Sequence, residues 1–132
     1  MRVQTLKTGG RYEEVASYAR VKRVGAFVYV AGTTAIEATG KLHEPGDAYA
    51  QAIFIFRRIE TAIAEVGAEM HHIVRTRAFL ADWSAAAGYL RAHGEVFSGI
   101  DPAATAVQAG LSTPGMMIEI EADAVIFDER GS

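Results

Sequence analysis

Alternation and periodicity of apolar positions divide the chain into short, readable elements. Two β-type runs come first, Tyr18 to Val24 and Phe27 to Gly32, separated by Gly25 and Ala26 at the spacing of a tight hairpin. In the second run Phe27, Tyr29 and Ala31 point one way and Val28 and Val30 the other. Both faces are apolar, so this strand is expected to be covered on both sides. A polar loop with Gly40, Pro45 and Gly46 follows, and Asp47 stands where a side chain accepts from the free amides of a starting helix. Ile53, Phe56, Ile59, Ile63 and Val66 then recur at three- and four-residue steps, which predicts one buried helical face ending at Gly67.

A further β run, Ile73 to Leu80, leads to Asp82, the expected cap of a second helix with Ala86, Leu90, His93 and Phe97 as its buried stripe. Gly99, Asp101 and Pro102 end that helix. Two β runs close the chain, Ala104 to Ala109 and Met117 to Ile126, joined through the turn-forming Ser112-Thr113-Pro114-Gly115. The predicted order is β-β-α-β-α-β-β, an α+β fold in one domain spanning 1–132.

Two helices cover one face of such a sheet and leave the other. In the last strand Ile118, Ile120, Ala122, Ala124 and Ile126 alternate with Met117, Glu119, Glu121, Asp123 and Val125, an apolar face for the helices and an acidic one opposite. The middle strand matches it, with Val74, Thr76, Ala78 and Leu80 toward the helices and Arg75, Arg77 and Phe79 toward the carboxylates. Opposite charges beside the apolar Phe27 and Tyr29 point to a face closed by other subunits. The competing reading is a solvated face with incidental cross-strand ion pairs.

Composition narrows the function classes. The 132 residues carry 13 Lys plus Arg against 16 Asp plus Glu, a net charge of −3, with no Cys and 50% hydrophobic residues. That size and apolar content suffice for a core without staples. The charge balance offers no general grip on a polyanion. Zero Cys removes disulfides, thiolate nucleophiles, thiolate zinc sites and iron–sulfur clusters, and suits a reducing compartment. No signal-peptide core is present near the start and no apolar run approaches about 18 residues, so the expectation is a cytoplasmic protein without a membrane contact.

Several segments together carry a family signal: Ser17-Tyr18-Ala19-Arg20 leading into Val24-Gly25, then Phe27-Val28-Tyr29-Val30-Ala31-Gly32-Thr33; Val74 to Asp82; His93-Gly94-Glu95-Val96-Phe97; Asp101-Pro102-Ala103; and Ile118-Glu119-Ile120-Glu121-Ala122. In this order and spacing the chain resembles the YjgF/RidA family, the reactive-intermediate deaminase group, over nearly its whole length. The resemblance implies a chorismate mutase-like sheet with helices on one face, and a homotrimer whose sheets close a central barrel. It also implies a small-molecule cleft at each subunit interface. Enzymes of the family hydrolyse imines and enamines such as 2-aminoacrylate to a 2-keto acid and ammonia, with no metal or organic cofactor.

Imine hydrolysis needs an anchor for the substrate carboxylate, a proton donor and an aimed water. The family places an Arg in a Pro-Ala-Arg motif, which here reads Pro102-Ala103-Ala104, so the bidentate guanidinium is missing. Ala106 stands where the family often has Cys, and Leu90 where it often has Asn. The usual activity on 2-imino acids is therefore in question, and the cleft is expected to be more apolar than its relatives'. Tyr18 matches the family's cleft tyrosine and Glu119 its glutamate, the group that handles the water or proton; Thr33 belongs to the same substrate-binding set.

Each assignment has a plainer competitor. Glu119 is otherwise an ion-pair partner of Arg77 or Arg75, and Tyr18 an aromatic packing beneath a loop. Arg20 and Lys22 share a face with Tyr18 by alternation; Arg20 either replaces the lost anchor or is, with Lys22, a solvated edge charge. If it replaces nothing, the substrate lacks a carboxylate.

The histidines do not gather. His71 and His72, adjacent at a strand entrance, are expected to diverge, His43 lies in a loop, and His93 reads as a hydrogen-bonded interior residue, so no metal site is expected. Three functions remain in order: a trimeric imine or enamine hydrolase, a trimeric ligand-binding or regulatory module without turnover, and last a ribonuclease. For the last, Arg20, Lys22 and Arg23 form the only compact basic cluster, with few aromatics placed for base stacking.

Overall fold

A six-stranded sheet in the order β1-β2-β3-β6-β4-β5 organises the computed structural model, which describes residues 2–128. The strands are β1 (Val3–Leu6), β2 (Val21–Val24), β3 (Phe27–Thr34), β4 (Ile73–Leu80), β5 (Ala103–Gln108) and β6 (Ile118–Val125). The helices are α1 (Arg11–Ala16), α2 (Ala48–Ala64) and α3 (Ala86–Val96), with short 3₁₀ turns at Met70–His72 and Trp83–Ala85. All neighbours pair antiparallel except β4 and β5, which are parallel and joined through α3. A parallel pair requires such a crossover, and α3 supplies it.

The alternation of β6 survives intact. Ile118, Ile120, Ala122 and Ala124 are buried under the helices, and Glu119, Glu121, Asp123 and Val125 alternate with them on the other face. Val28 and Val30 of β3 and Ala78 and Leu80 of β4 extend the buried face, met from above by Ile55, Phe56, Ile59 and Ile63 of α2. Each such fully buried side chain contributes about 1.5–3 kcal/mol of burial free energy. Asp47 caps α2 as expected, Oδ1 accepting from the Ala50 amide at 3.0 Å.

Several expectations are corrected. β1 and α1 were not anticipated: four residues of β1 carry only two alternations, and the single turn and a half of α1 buries one residue, Glu13. The strand expected from Tyr18 begins only at Val21, because Ser17 takes a left-handed conformation (φ 59°) and the chain bends until Arg20. Val74 is exposed, since a register shift between Ile73 and Arg75 hands its place in the core to Ile73. Ile53 is half-buried while Ile55 lies at the centre of the α2 face. On α3 the buried positions are Tyr89 and Ala92, with Phe97 just beyond; Leu90 points outward and is 64% exposed. The stripe is rotated because a 3₁₀ turn, itself capped by Asp82, precedes the helix and shifts its phase.

Close approach decides how α3 sits. A Cβ on Gly88 would come within 2.7 Å of the Tyr49 amide nitrogen, so glycine lets α3 lie against the first turn of α2. Beside that contact Gln51, fully buried, donates from Nε2 to the carbonyls of Glu44 and Gly115 (3.0 and 2.9 Å), and its Oε1 accepts from the Met117 amide at 2.8 Å. One side chain thereby ties the loop before α2 to the entry of β6.

His93 is the interior histidine expected. Its Nε2 and the Thr76 hydroxyl share a 2.8 Å hydrogen bond, and it packs against the rings of Phe56, Tyr89 and Phe97. Burial lowers its pKa below the ordinary 6.5. His71 and His72 do not diverge: the 3₁₀ turn brings their rings to 4.1 Å, and both contact Phe127.

The opposite sheet face is open in the single chain, so the strand expected to be covered twice is covered once here. Phe27 and Tyr29 of β3 are about half exposed, at 50% and 48%, as is Val107 on the edge strand β5. Arg77 lies across from the carboxylates on β6, 3.4 Å from Glu121 and 3.0 Å from Asp123, and Arg75 donates to the Thr105 hydroxyl at 2.7 Å.

Two predictions follow from these contacts. Gln51→Met leaves three backbone groups without their partner and is expected to cost about 2–4 kcal/mol in denaturant unfolding; a loss under about 1 kcal/mol would show that water replaces the side chain. The unfolded chain protonates His93 first as pH falls below 6.5, so stability contributed by the neutral form is complete above that value and declines toward the lowered folded pKa. His93→Gln should therefore show a shallower fall in melting temperature from pH 7 to pH 5 than the parent; parallel slopes would remove His93 as the acid-sensitive group.

Candidate functional site

The local irregularity of β3 builds the site. Val30 pairs with Ala122 and Thr33 with Ile120, so three steps on β3 face two on β6, and the extra residue makes a bulge at Ala31 and Gly32. The bulge sets Glu119 over Gly32: a Cβ there would lie 2.5 Å from Glu119 Oε2 and 3.1 Å from its Cδ. Among the described residues Glu119 has no ion-pair partner, because Arg77 is taken by Glu121 and Asp123. The ion-pair alternative for Glu119 is thus not realised in the chain.

On the other side of β3 the ladder with β2 ends where the Ala31 amide donates to the Arg20 carbonyl at 3.0 Å. Beyond that bond two guanidiniums replace a strand. Arg20 Nη2 donates to the Gly32 carbonyl at 2.6 Å and Arg58 Nη1 to the Thr34 carbonyl at 2.6 Å. Arg20 also lies 5.9 Å from the centre of the Tyr18 ring. Gly32 is therefore the point at which Arg20 and Glu119 meet, with the Tyr18 ring beside Arg20. Sequence reasoning did not single it out as a site residue, although a strand ending in Gly-Thr was visible.

Two concavities flank this point. A groove of 660 Å³ runs along the open sheet face, lined by Tyr18, Lys22, Tyr29, Glu121 and Asp123 among others. A cavity of 630 Å³ lies on the helix side, lined by Leu6, Val30, Thr33 and Phe54 together with Arg20, Arg57 and Arg58. The expectation that Arg20 shares a face with Tyr18 and Lys22 is corrected: Lys22 lines the groove with Tyr18, whereas Arg20 lines the cavity. The cause is the bend before Val21, which breaks the strand alternation. Thr33 is buried, and its hydroxyl donates to the Ala31 carbonyl at 2.9 Å, holding the bulge.

The remaining predicted positions do not join this cluster within one chain. Ala104 and Ala106 pair with Thr76 and Ala78 and share their helix-side face, on the edge strand β5. Glu119 points to the opposite face, one strand beyond β4. Leu90 lies on the outer side of α3 and lines neither concavity. No group of three His, Cys, Asp or Glu among the described residues is placed to hold a metal ion, and no helix is long and apolar enough to cross a membrane.

The chain as a whole matches a known family. The family model described as Endoribonuclease L-PSP matches residues 8–126. The chain belongs to that family, the YjgF/RidA group. An uncharacterized protein of Streptomyces coelicolor is 33% identical over 123 residues, 92% of this chain and 91% of its own length. A RutC family protein of Pyrococcus abyssi is 29% identical over 109 residues, covering 82% of this chain and 85% of that protein. Among solved structures, a member of the YjgF/YER057c/UK114 family from Mycobacterium tuberculosis is 33% identical with a TM-score of 0.84, covering 95% of this chain and 100% of the other. The fold is the α+β, chorismate mutase-like sheet of the YjgF/RidA proteins, with six strands and three α-helices among the described residues in place of the five and two expected.

Gly32 does not take a left-handed φ, so a Cβ is excluded there by Glu119 alone. Gly32→Ala is expected to keep the melting temperature within about 5 °C of the parent while turning the Glu119 carboxylate away in a crystal structure of the variant. An unmoved Glu119 would show that the bulge, not the side chain, yields.

Proposed function

We propose that this YjgF/RidA protein hydrolyses a small imine or enamine in a cleft completed by a second subunit of a homotrimer. Water adds to the imine carbon, the C–N bond breaks, and a carbonyl compound and ammonia leave; an enamine first tautomerises, gaining a proton on carbon and losing one from nitrogen, to give the imine. Glu119 takes the proton from the attacking water and returns it to the departing nitrogen, and Tyr18 lines the same cleft. The observation that carries this reading is Glu119 itself, a carboxylate set against a backbone bulge and left out of the ion pairs formed by its neighbours.

The trimer is supported by the open face with Phe27 and Tyr29, and by the separation of Ala104 and Ala106 from Glu119 within one chain. Residues at those positions reach a common cleft only when the edge of one sheet meets the bulge of another. No cofactor is needed for this chemistry.

Ala104 favours a second reading. With no guanidinium at that position, a trimeric small-molecule-binding or regulatory module without turnover is the alternative. A ribonuclease draws less support. The basic cluster does not gather on one surface: Lys22 lines the groove on the sheet face, Arg20 lines the helix-side cavity, and Arg23 donates to the carbonyls of Gly25 and Val66.

An amino acid oxidase generating 2-imino acids in the presence of the protein tests the assignment. Accelerated loss of the imine is expected, reduced about 10²- to 10⁴-fold in Glu119→Gln, with Ala104→Arg raising the rate on carboxylate-bearing imines. No acceleration across several amino acids, by either the parent or Ala104→Arg, would favour the binding module.

A further inference from the structure

The open cavity on the helix side of the sheet is not used by this chemistry, and it gathers positive charge. Three guanidiniums, Arg20, Arg57 and Arg58, line it against one carboxylate, Glu65. Arg20 and Arg58 are drawn in by backbone carbonyls two residues apart on β3, which sets the two groups about 7 Å from each other at strand spacing. Each spends one of five N–H donors on that bond. Arg20 Nε is buried with no hydrogen-bond acceptor, and the nearest carboxylate, Glu13, stands 4.0 Å away. Glu13 is already engaged by the amide and hydroxyl of Thr8, both at 2.9 Å. Burial, and then the neighbouring charge of Arg20, lower the Arg58 pKa, with Glu13 acting the other way. Two partly buried cations beside each other, with donors unspent, are stabilised by an anion between them.

The walls define the rest of the ligand. Leu6 and Val30 form the floor on the sheet, and α2 supplies Phe54 and Ala62, so most of the lining is apolar. We propose that this cavity binds a small organic carboxylate with an apolar body, the carboxylate between Arg20 and Arg58 and the body against Leu6, Val30 and Phe54. The site lies across the sheet from the Glu119 side chain and meets it only at Gly32. It holds whether or not the protein turns over an imine, so failure of either assignment leaves the other standing.

Phenylacetate, its neutral isostere phenylacetamide and inorganic phosphate, titrated into the full-length protein at fixed ionic strength, separate the possibilities. Phenylacetate is expected to shift the amide resonances of Gly32 and Thr33 and to bind at least about tenfold more tightly than either of the others. Arg58→Gln should weaken phenylacetate by about tenfold or more, and Thr61→Trp, at an exposed position on the cavity wall, should block it without loss of helix content. Equal binding of the amide would overturn the carboxylate anchor, and tighter binding of phosphate would overturn the apolar body. Phenylacetate binding unaffected by Thr61→Trp, or absent at millimolar concentration, would overturn the site.

Discussion

A single extra residue in β3, opposite Glu121 of β6, governs everything around the site. Strand pairing has a period of two, so an inserted residue either slips the register of the whole strand or is absorbed locally. Here it is absorbed at Ala31 and Gly32, and Thr33 holds the kink through its hydroxyl. The hydrophobic faces on either side stay in phase, with Val28 and Val30 before the bulge and Thr33 after it all buried under the helices. The cost of the bulge is a stretch of β3 that β2 no longer follows, and its carbonyls draw in Arg20 and Arg58.

Two environments meet at that stretch. On one face Glu119 rests on Gly32, close enough that no other residue fits without moving it. On the other, guanidiniums line an apolar cavity. A carboxylate and a pair of cations are kept apart by the thickness of one strand, which prevents them from simply neutralising each other. On the cation side Arg20 lies 4.0 Å from the buried Glu13, and Arg77 with Glu121 and Asp123 shows how the same residue types pair where no strand intervenes.

The open sheet face is the second constraint. Helices α2 and α3 are both on one side, so Phe27, Tyr29 and Val107 are left to a partner or to water. The proposed trimer removes that exposure and also brings β5 of one chain toward the bulge of the next, which is the arrangement Ala104 and Ala106 need to take part in any cleft with Glu119. In that proposed arrangement Ala104 belongs to the wall contributed by the neighbour, and Glu119 and Gly32 to the wall contributed by β3 and β6.

Alternation and helical period were enough to place β3, α2, β4, β6 and the body of α3, because burial on one face repeats every two or 3.6 residues and leaves its mark on residue type. The same reasoning, with the family motifs, put forward Glu119 and Tyr18 as candidates. It missed β1 and α1, whose few residues complete no period, and it placed Leu90 and Val74 in the core, because a 3₁₀ turn and a β-bulge shift phase without changing composition. The course of the Arg20 side chain, the contact of Glu119 with Gly32 and the partnership of Arg58 with Thr34 belong to the tertiary structure alone. Each depends on where one strand ends beside another, and a chain read one residue at a time does not contain that distance.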